Sequence, residues 1–138
     1  MRGSVGKMPR LEVLCKWNGM DLANALTLDR REEPGRITFH LGGVASLRTS
    51  KVLKEHLFHD SAREDVRQII LEMGGIEILD SSVLGILLEA QQKLVRRGGQ
   101  VLILTPSEEM NDLLSMTDLA LLIPVIRDAD KLPAPPNP

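Results

Sequence analysis

The sequence predicts an α/β domain, a central mixed sheet of about four to five strands flanked by helices. Three observations lead there. Ile69-Ile70-Leu71 and Val101-Leu102-Ile103-Leu104 are apolar on consecutive residues, which suits strands covered on both faces. Between them Leu84, Leu87, Leu88 and Leu94 recur with the 3.6-residue period of a helix that buries one side. Strand, helix and strand in that order point to α/β layering. A chain of 138 residues, 43% of them hydrophobic, can build one domain with a real core and is too short for two ordinary ones. The domain is expected over residues 26–126. A partly flexible extension (1–25) precedes it, and a proline-rich, disordered tail (127–138) follows.

Residues 1–10 read as a mildly basic tail. Residues 11–17 alternate loosely between apolar and polar, and Asn18-Gly19 follows as a turn signal, so an extra strand is compatible with this stretch. Trp17, the only tryptophan, covers a core edge or docks a partner. Two strands, residues 25–29 and 36–41, flank a polar turn at Arg30-Arg31-Glu32-Glu33-Pro34-Gly35, and Gly42-Gly43-Val44-Ala45-Ser46 reads as a loop. Residues 47–59 form an amphipathic helix on Val52, Leu53 and Leu57. After a polar linker, residues 66–73 supply a buried strand, and Ile76-Glu77-Ile78-Leu79 makes a short apolar approach to Asp80-Ser81-Ser82.

The helix that follows carries Lys93, Arg96 and Arg97 in its last turn, where cations suit the helix dipole, and ends at Gly98-Gly99. After the strand at 101–104, Thr105-Pro106-Ser107-Glu108 has the pattern of a capping box and opens a helix to about Met116. Residues 118–126 then return the chain to the sheet.

Composition excludes several classes. Net charge is −2 with scattered lysines and arginines, so there is no electrostatic footprint for direct nucleic-acid binding. Cys15 stands alone, which excludes an internal disulfide and a multi-cysteine zinc cluster and fits a reduced, cytoplasmic setting. No apolar run approaches the roughly 20 residues of a membrane span, and the N-terminus lacks the apolar core of a signal peptide. No membrane association is expected. Phosphate-binding loops, dinucleotide glycine motifs, zinc-protease motifs and nucleophile elbows are all missing from the chain. His40, His56 and His59 lie in elements that nothing in the sequence brings towards Ser81, so no hydrolytic triad is expected. His56 and His59 are spaced i, i+3 but have no third ligand, and read as a solvated helix face. No metal, cofactor or catalytic residue is expected.

Asp80-Ser81-Ser82 is the abrupt polar step between apolar strand and apolar helix. An Asp or Ser oxygen there caps the helix by accepting from a free amide of the first turn. The same free amides and the positive end of the helix dipole let a hydroxyl in this place carry a phosphate of roughly −1.5 to −2 charges without loss of the fold.

With Ile69-Ile70-Leu71-Glu72-Met73 before the junction and Arg97-Gly98-Gly99-Gln100 and the strand after it, the chain resembles the STAS domain family, notably the bacterial anti-anti-sigma factors. In that family a buried strand leads into a D-S-S/T-G-L-G junction, a helix, a glycine pair, another strand and a last helix. The resemblance spans residues 26–126 and rests mainly on Asp80 to Gly85. It implies an anti-sigma factor antagonist, phosphorylated by its anti-sigma serine kinase on the serine after the aspartate. That serine is Ser81, with Ser82 the alternative acceptor. The partner surface it implies includes Asp80, Ser82, Val83 and Gly85. A serine phosphatase would reset the switch, and self-association is left open.

The chain departs from the family at three places. The loop 42–46 lacks the usual acids, Asp118 stands for a glycine, and Val83 replaces the glycine after the serine pair. At the last of these a β-branched side chain restricts the backbone and is expected to obstruct a kinase's approach. These departures, with the N-terminal extension, point to the alternative: a scaffold or sensor-complex subunit that acts by protein association without phosphorylation.

Overall fold

The structure, a computed structural model, describes residues 10–11, 26–105, 108–116 and 119–136. Its sheet is mixed. Six strands lie in the order in which they occur: β1 (Arg10–Leu11), β2 (Leu26–Glu33), β3 (Arg36–Ala45), β4 (Gln68–Leu79), β5 (Gln100–Leu104) and β6 (Val125–Ile126). The first three are antiparallel and the last four parallel, with β3 shared between the two sets. β1 pairs Leu11 with Leu28, while the rest of the suggested extra strand, with Cys15, Trp17 and Asn18-Gly19, lies outside the described residues.

β2 and β3 form a hairpin closed by Pro34-Gly35, with Gly35 at φ 77°. A positive φ after proline is what a type II turn asks of its third residue, and glycine meets it without steric cost. The polar turn expected over 30–35 is therefore only two residues long. Residues 30–33 stay in the strand because ion pairs hold them there. Arg30 donates to the Asp60 carboxylate through Nε and Nη2, each at 2.8 Å, and Arg63 donates to Glu32 at 2.6 Å.

The expected loop at 42–45 is also strand. β3 runs to Ala45 beside β4, and Val44 and Ala45 are buried. The expected strand at 66–73 and the approach at 76–79 are likewise one strand of twelve residues, β4, joined across Gly74-Gly75. Register shifts after His40 and after Gly43 leave extra residues of β4 out of the ladder, as β-bulges do. A Cβ on Gly75 would lie 3.2 Å from the Leu41 carbonyl, so a bare backbone suits the crossing there.

Two crossovers carry the long helices, α1 (Leu47–Ser61) between β3 and β4, and α2 (Ser81–Val95) between β4 and β5. Right-handed connections between neighbouring parallel strands put both on one face, where they pack against each other. Ile37 and Phe39 of β3, Ile69 and Leu71 of β4, and Val101 and Ile103 of β5 point into that layer. α1 contributes Leu53 and Leu57; α2 contributes Val83, Leu87, Ala90 and Leu94. The other face buries Ile70 and Leu102 beside half-buried polar residues of β3.

α3 (Glu108–Ser115) and α4 (Leu119–Leu122) lead to β6. Pro106 and Ser107 lie outside the described residues; among the described ones Thr105 Oγ1 is buried without a partner, and the Glu108 carboxylate accepts from Arg127 at 2.8 Å rather than reaching back to the Thr105 N–H. β6 pairs with β5 only at Ile103 and Leu104. Lower down, Gln91 of α2 fills in. Its Oε1 accepts from the Val101 N–H at 3.0 Å, and its Nε2 donates to the Leu122 carbonyl at 2.8 Å.

The proline content suggested a disordered tail, but the part of it that the structure describes is held against the sheet. A 3₁₀ turn at Ala129–Lys131 leads to Pro133, whose carbonyl accepts from Arg36 at 2.7 Å and from the buried Gln68 at 3.1 Å. Proline cannot donate, but its carbonyl is a full acceptor, and two side chains at the end of the sheet use it.

Candidate functional site

The parallel strands β3 and β4 end side by side, Ala45 opposite Leu79, and deliver the starts of both long helices to one end of the sheet. Asp80 closes that end. Its backbone is extended, with φ −92° and ψ 147°, and its N–H donates to the Ala45 carbonyl at 2.8 Å. Its carboxylate accepts from the Ser82 backbone N–H at 3.0 Å, and its carbonyl from Val83 N–H at 3.0 Å. This is the expected helix cap. The Ser82 N–H holds the Asp80 carboxyl below the usual carboxylate range against a small desolvation, and the Leu47 N–H at the start of α1 adds to the effect. Asp80 is thus anionic at neutral pH and sits between two helix starts.

The two serines differ. Ser81, the first residue of α2, is exposed. Ser82 is half-buried, and its Oγ is buried with no hydrogen-bond partner of good geometry among the described residues, although the hydroxyl lies close enough to the Asp80 carboxyl to help lower it. Gly85 lies one turn on and is exposed, with nothing within 4 Å of an added Cβ. Val83 corrects an expectation. It is 1% exposed and packs in the core, so it neither obstructs a partner nor belongs to a partner surface. The third residue of a helix faces a quarter to a half turn away from its first, and here that direction is inward.

Two exposed apolar side chains escaped the sequence reading, Leu47 at 71% and Ile78 at 55%. Leu47 opens α1, where its backbone N–H reaches the Asp80 carboxyl, and Ile78 lies two residues before Asp80 near the end of β4. Ile78 could have been singled out by its place beside the polar junction, whereas Leu47 comes to the site only through the fold.

The histidines serve elsewhere. His40 Nδ1 lies 3.5 Å from a Glu72 oxygen on neighbouring strands, and His56 and His59 sit on α1. Among the described residues no three of His, Cys, Asp and Glu converge as metal ligands. No described helix is long and apolar enough to cross a membrane.

The fold and this site define a small α/β domain that presents an exposed hydroxyl at a capped helix start, beside the ends of two parallel strands. Residues 27–132 match the family model of the STAS domain. The chain belongs to the STAS domain family.

Among solved structures, it is similar to the phosphorylated form of the Bacillus cell fate determinant SpoIIAA, with a TM-score of 0.59 and 18% identity over 77% of this chain and 95% of that one. An anti-sigma factor antagonist from Mycobacterium paratuberculosis matches with a TM-score of 0.67 and 17% identity over 78% and 90%. A sulfate transporter family protein from Wolinella succinogenes matches with a TM-score of 0.57 and 19% identity over 70% and 80%. At such identities the likeness is one of fold.

Proposed function

We propose that this chain is an anti-sigma factor antagonist that binds an anti-sigma serine kinase and is switched off by phosphorylation at Ser81. The observation that carries this reading is the difference between the two hydroxyls: Ser81 is exposed at the start of α2, whereas the Ser82 Oγ is buried. A kinase can reach only a hydroxyl that water reaches. Asp80, Gly85 and the exposed Leu47 and Ile78 supply the surrounding partner surface.

Before modification that surface sets apolar Leu47 and Ile78 beside the Asp80 carboxylate, with the Glu77 carboxylate just outside it. Phosphorylation brings roughly −1.5 to −2 charges into it, beside a carboxylate that is already ionised. Desolvating that cluster on binding is costly, so the complex weakens, while the remaining free amides of α2 let the fold tolerate the phosphate. A serine phosphatase reverses the step, and the setting is the cytoplasm. The chain itself is substrate rather than enzyme.

A second reading, an association module that works without phosphorylation, draws on the absence of acidic residues from 42–46 and on the likeness to a transporter-family structure. Intact-protein mass after incubation with ATP and the candidate serine kinase of the same genome separates the two. One added phosphate that Ser81→Ala abolishes and Ser82→Ala retains supports the switch. An unmodified wild type, despite an active kinase and a measurable complex, favours the association module.

A further inference from the structure

β4 outruns its neighbour. Its pairing with β5 ends at Glu72, opposite Leu104, and residues 73–79 have only β3 beside them among the described residues. In a parallel ladder, backbone groups point alternately to one neighbour and the other, so those of 74–79 that face away from β3 meet no strand there. α3 touches β4 yet leaves Gly75, Glu77 and Ile78 exposed.

The side chains along this edge have a consistent character. Ile78 offers apolar surface that the domain leaves half uncovered, beside Val44 of β3. Glu77, a residue that the second bulge leaves out of the ladder, is exposed and has no ion pair among the described residues. From Gln68 to Gln92 the sequence carries Glu72, Glu77, Asp80 and Glu89 and no lysine or arginine. Glu72 is already engaged by His40 and by the Gly74 N–H, which leaves Glu77 as the uncommitted charge on the edge.

We propose that residues 74–79 accept an added strand, an extended segment of a protein partner that sets an apolar side chain against Ile78 and a lysine or arginine against Glu77. Main-chain hydrogen bonds to the open edge give such a complex its affinity, and the alternating side chains give it selectivity. The bulges twist β4 and keep the added strand short. Strand addition here needs no phosphate on Ser81; it shares Ile78 with the proposed kinase surface, and Glu77, which lies outside that surface, tells the two apart.

The probe is a short peptide alternating lysine and valine, with a glutamate–valine peptide as its charge-reversed counterpart, and the readout is amide hydrogen exchange on the full chain. The lysine peptide should slow exchange within 74–79, and the glutamate peptide should not. Glu77→Lys should weaken the lysine peptide about fivefold, with Glu77→Gln intermediate. Unchanged exchange in this segment, equal protection by both peptides, or undiminished binding to a folded Glu77→Lys or Glu77→Gln variant would each overturn the assignment.

Discussion

Arg30 on β2 clasps Asp60 at the end of α1 with two hydrogen bonds of 2.8 Å, and Asp60 is 1% exposed. The pair ties the hairpin to the helix layer from thirty positions away. Desolvation costs make such a pair weak as a net source of stability, yet removing one partner strands the other charge. Here Arg30 keeps Glu32 at 3.0 Å, so Asp60→Ala should cost about 1.5–3 kcal/mol in urea unfolding, the loss of charged hydrogen bonds rather than of a fully stranded ion. A loss below about 1 kcal/mol would mean that Arg30 finds water instead.

The same corner sets a pH dependence. The guanidinium of Arg63 holds the Glu32 carboxyl below its ordinary 4.5, and Arg63 itself is pushed upward, first by Glu32. A carboxyl with a depressed folded pKa stabilises fully above its unfolded value and loses that contribution as pH falls through the folded value. Stability should thus begin to fall as the pH drops below about 4.5. Glu32→Gln should flatten this acid limb, which thermal melts across the pH range would record.

At the start of α2 the two acceptor positions should part company. Asp80→Ala removes the cap and should cost about 1 kcal/mol. Ser82→Ala removes a buried hydroxyl whose one interaction among the described residues is a weak one with the Asp80 carboxyl, and should cost less than about 0.5 kcal/mol. A Ser82→Ala loss as large as that of Asp80→Ala would show that the hydroxyl has a strong partner.

Gly85 sits inside α2 with open space around it and no positive φ. Gly85→Ala should stabilise the domain by about 0.5–1 kcal/mol by helix propensity alone. A stabilised variant that binds the candidate kinase less well would assign Gly85 to the contact surface, since its fold would not be at fault.

Local chemistry was readable in the chain; distant chemistry was not. Asp80 announced its cap because capping acts within two residues, and the consecutive apolar runs at 69–71 and 101–104 announced covered strands. Residues 30–33 looked like a turn because their partners Asp60 and Arg63 lie some thirty positions on. Residues 42–45 looked like a loop because glycines hide a strand whose ladder depends on β4. Val83 was assigned to a partner surface by resemblance, although Val83, Leu87, Ala90 and Leu94 form a buried stripe at helical spacing. Pro133 gave no sign of docking, since only its carbonyl takes part.

Gln91 has a consequence for how the domain is bounded. By accepting from Val101 N–H and donating to the Leu122 carbonyl, a side-chain amide imitates a peptide unit just beyond the reach of the two-residue β6. Gln91 thereby completes the cover of β5, whose Ile103 and Thr105 N–H groups donate to the Pro124 and Ile126 carbonyls, and copies of the protein lose a template for stacking edge to edge on that flank. Gln91→Leu would keep the bulk and unseal it, turning a solubility safeguard into a site for fibril-like growth.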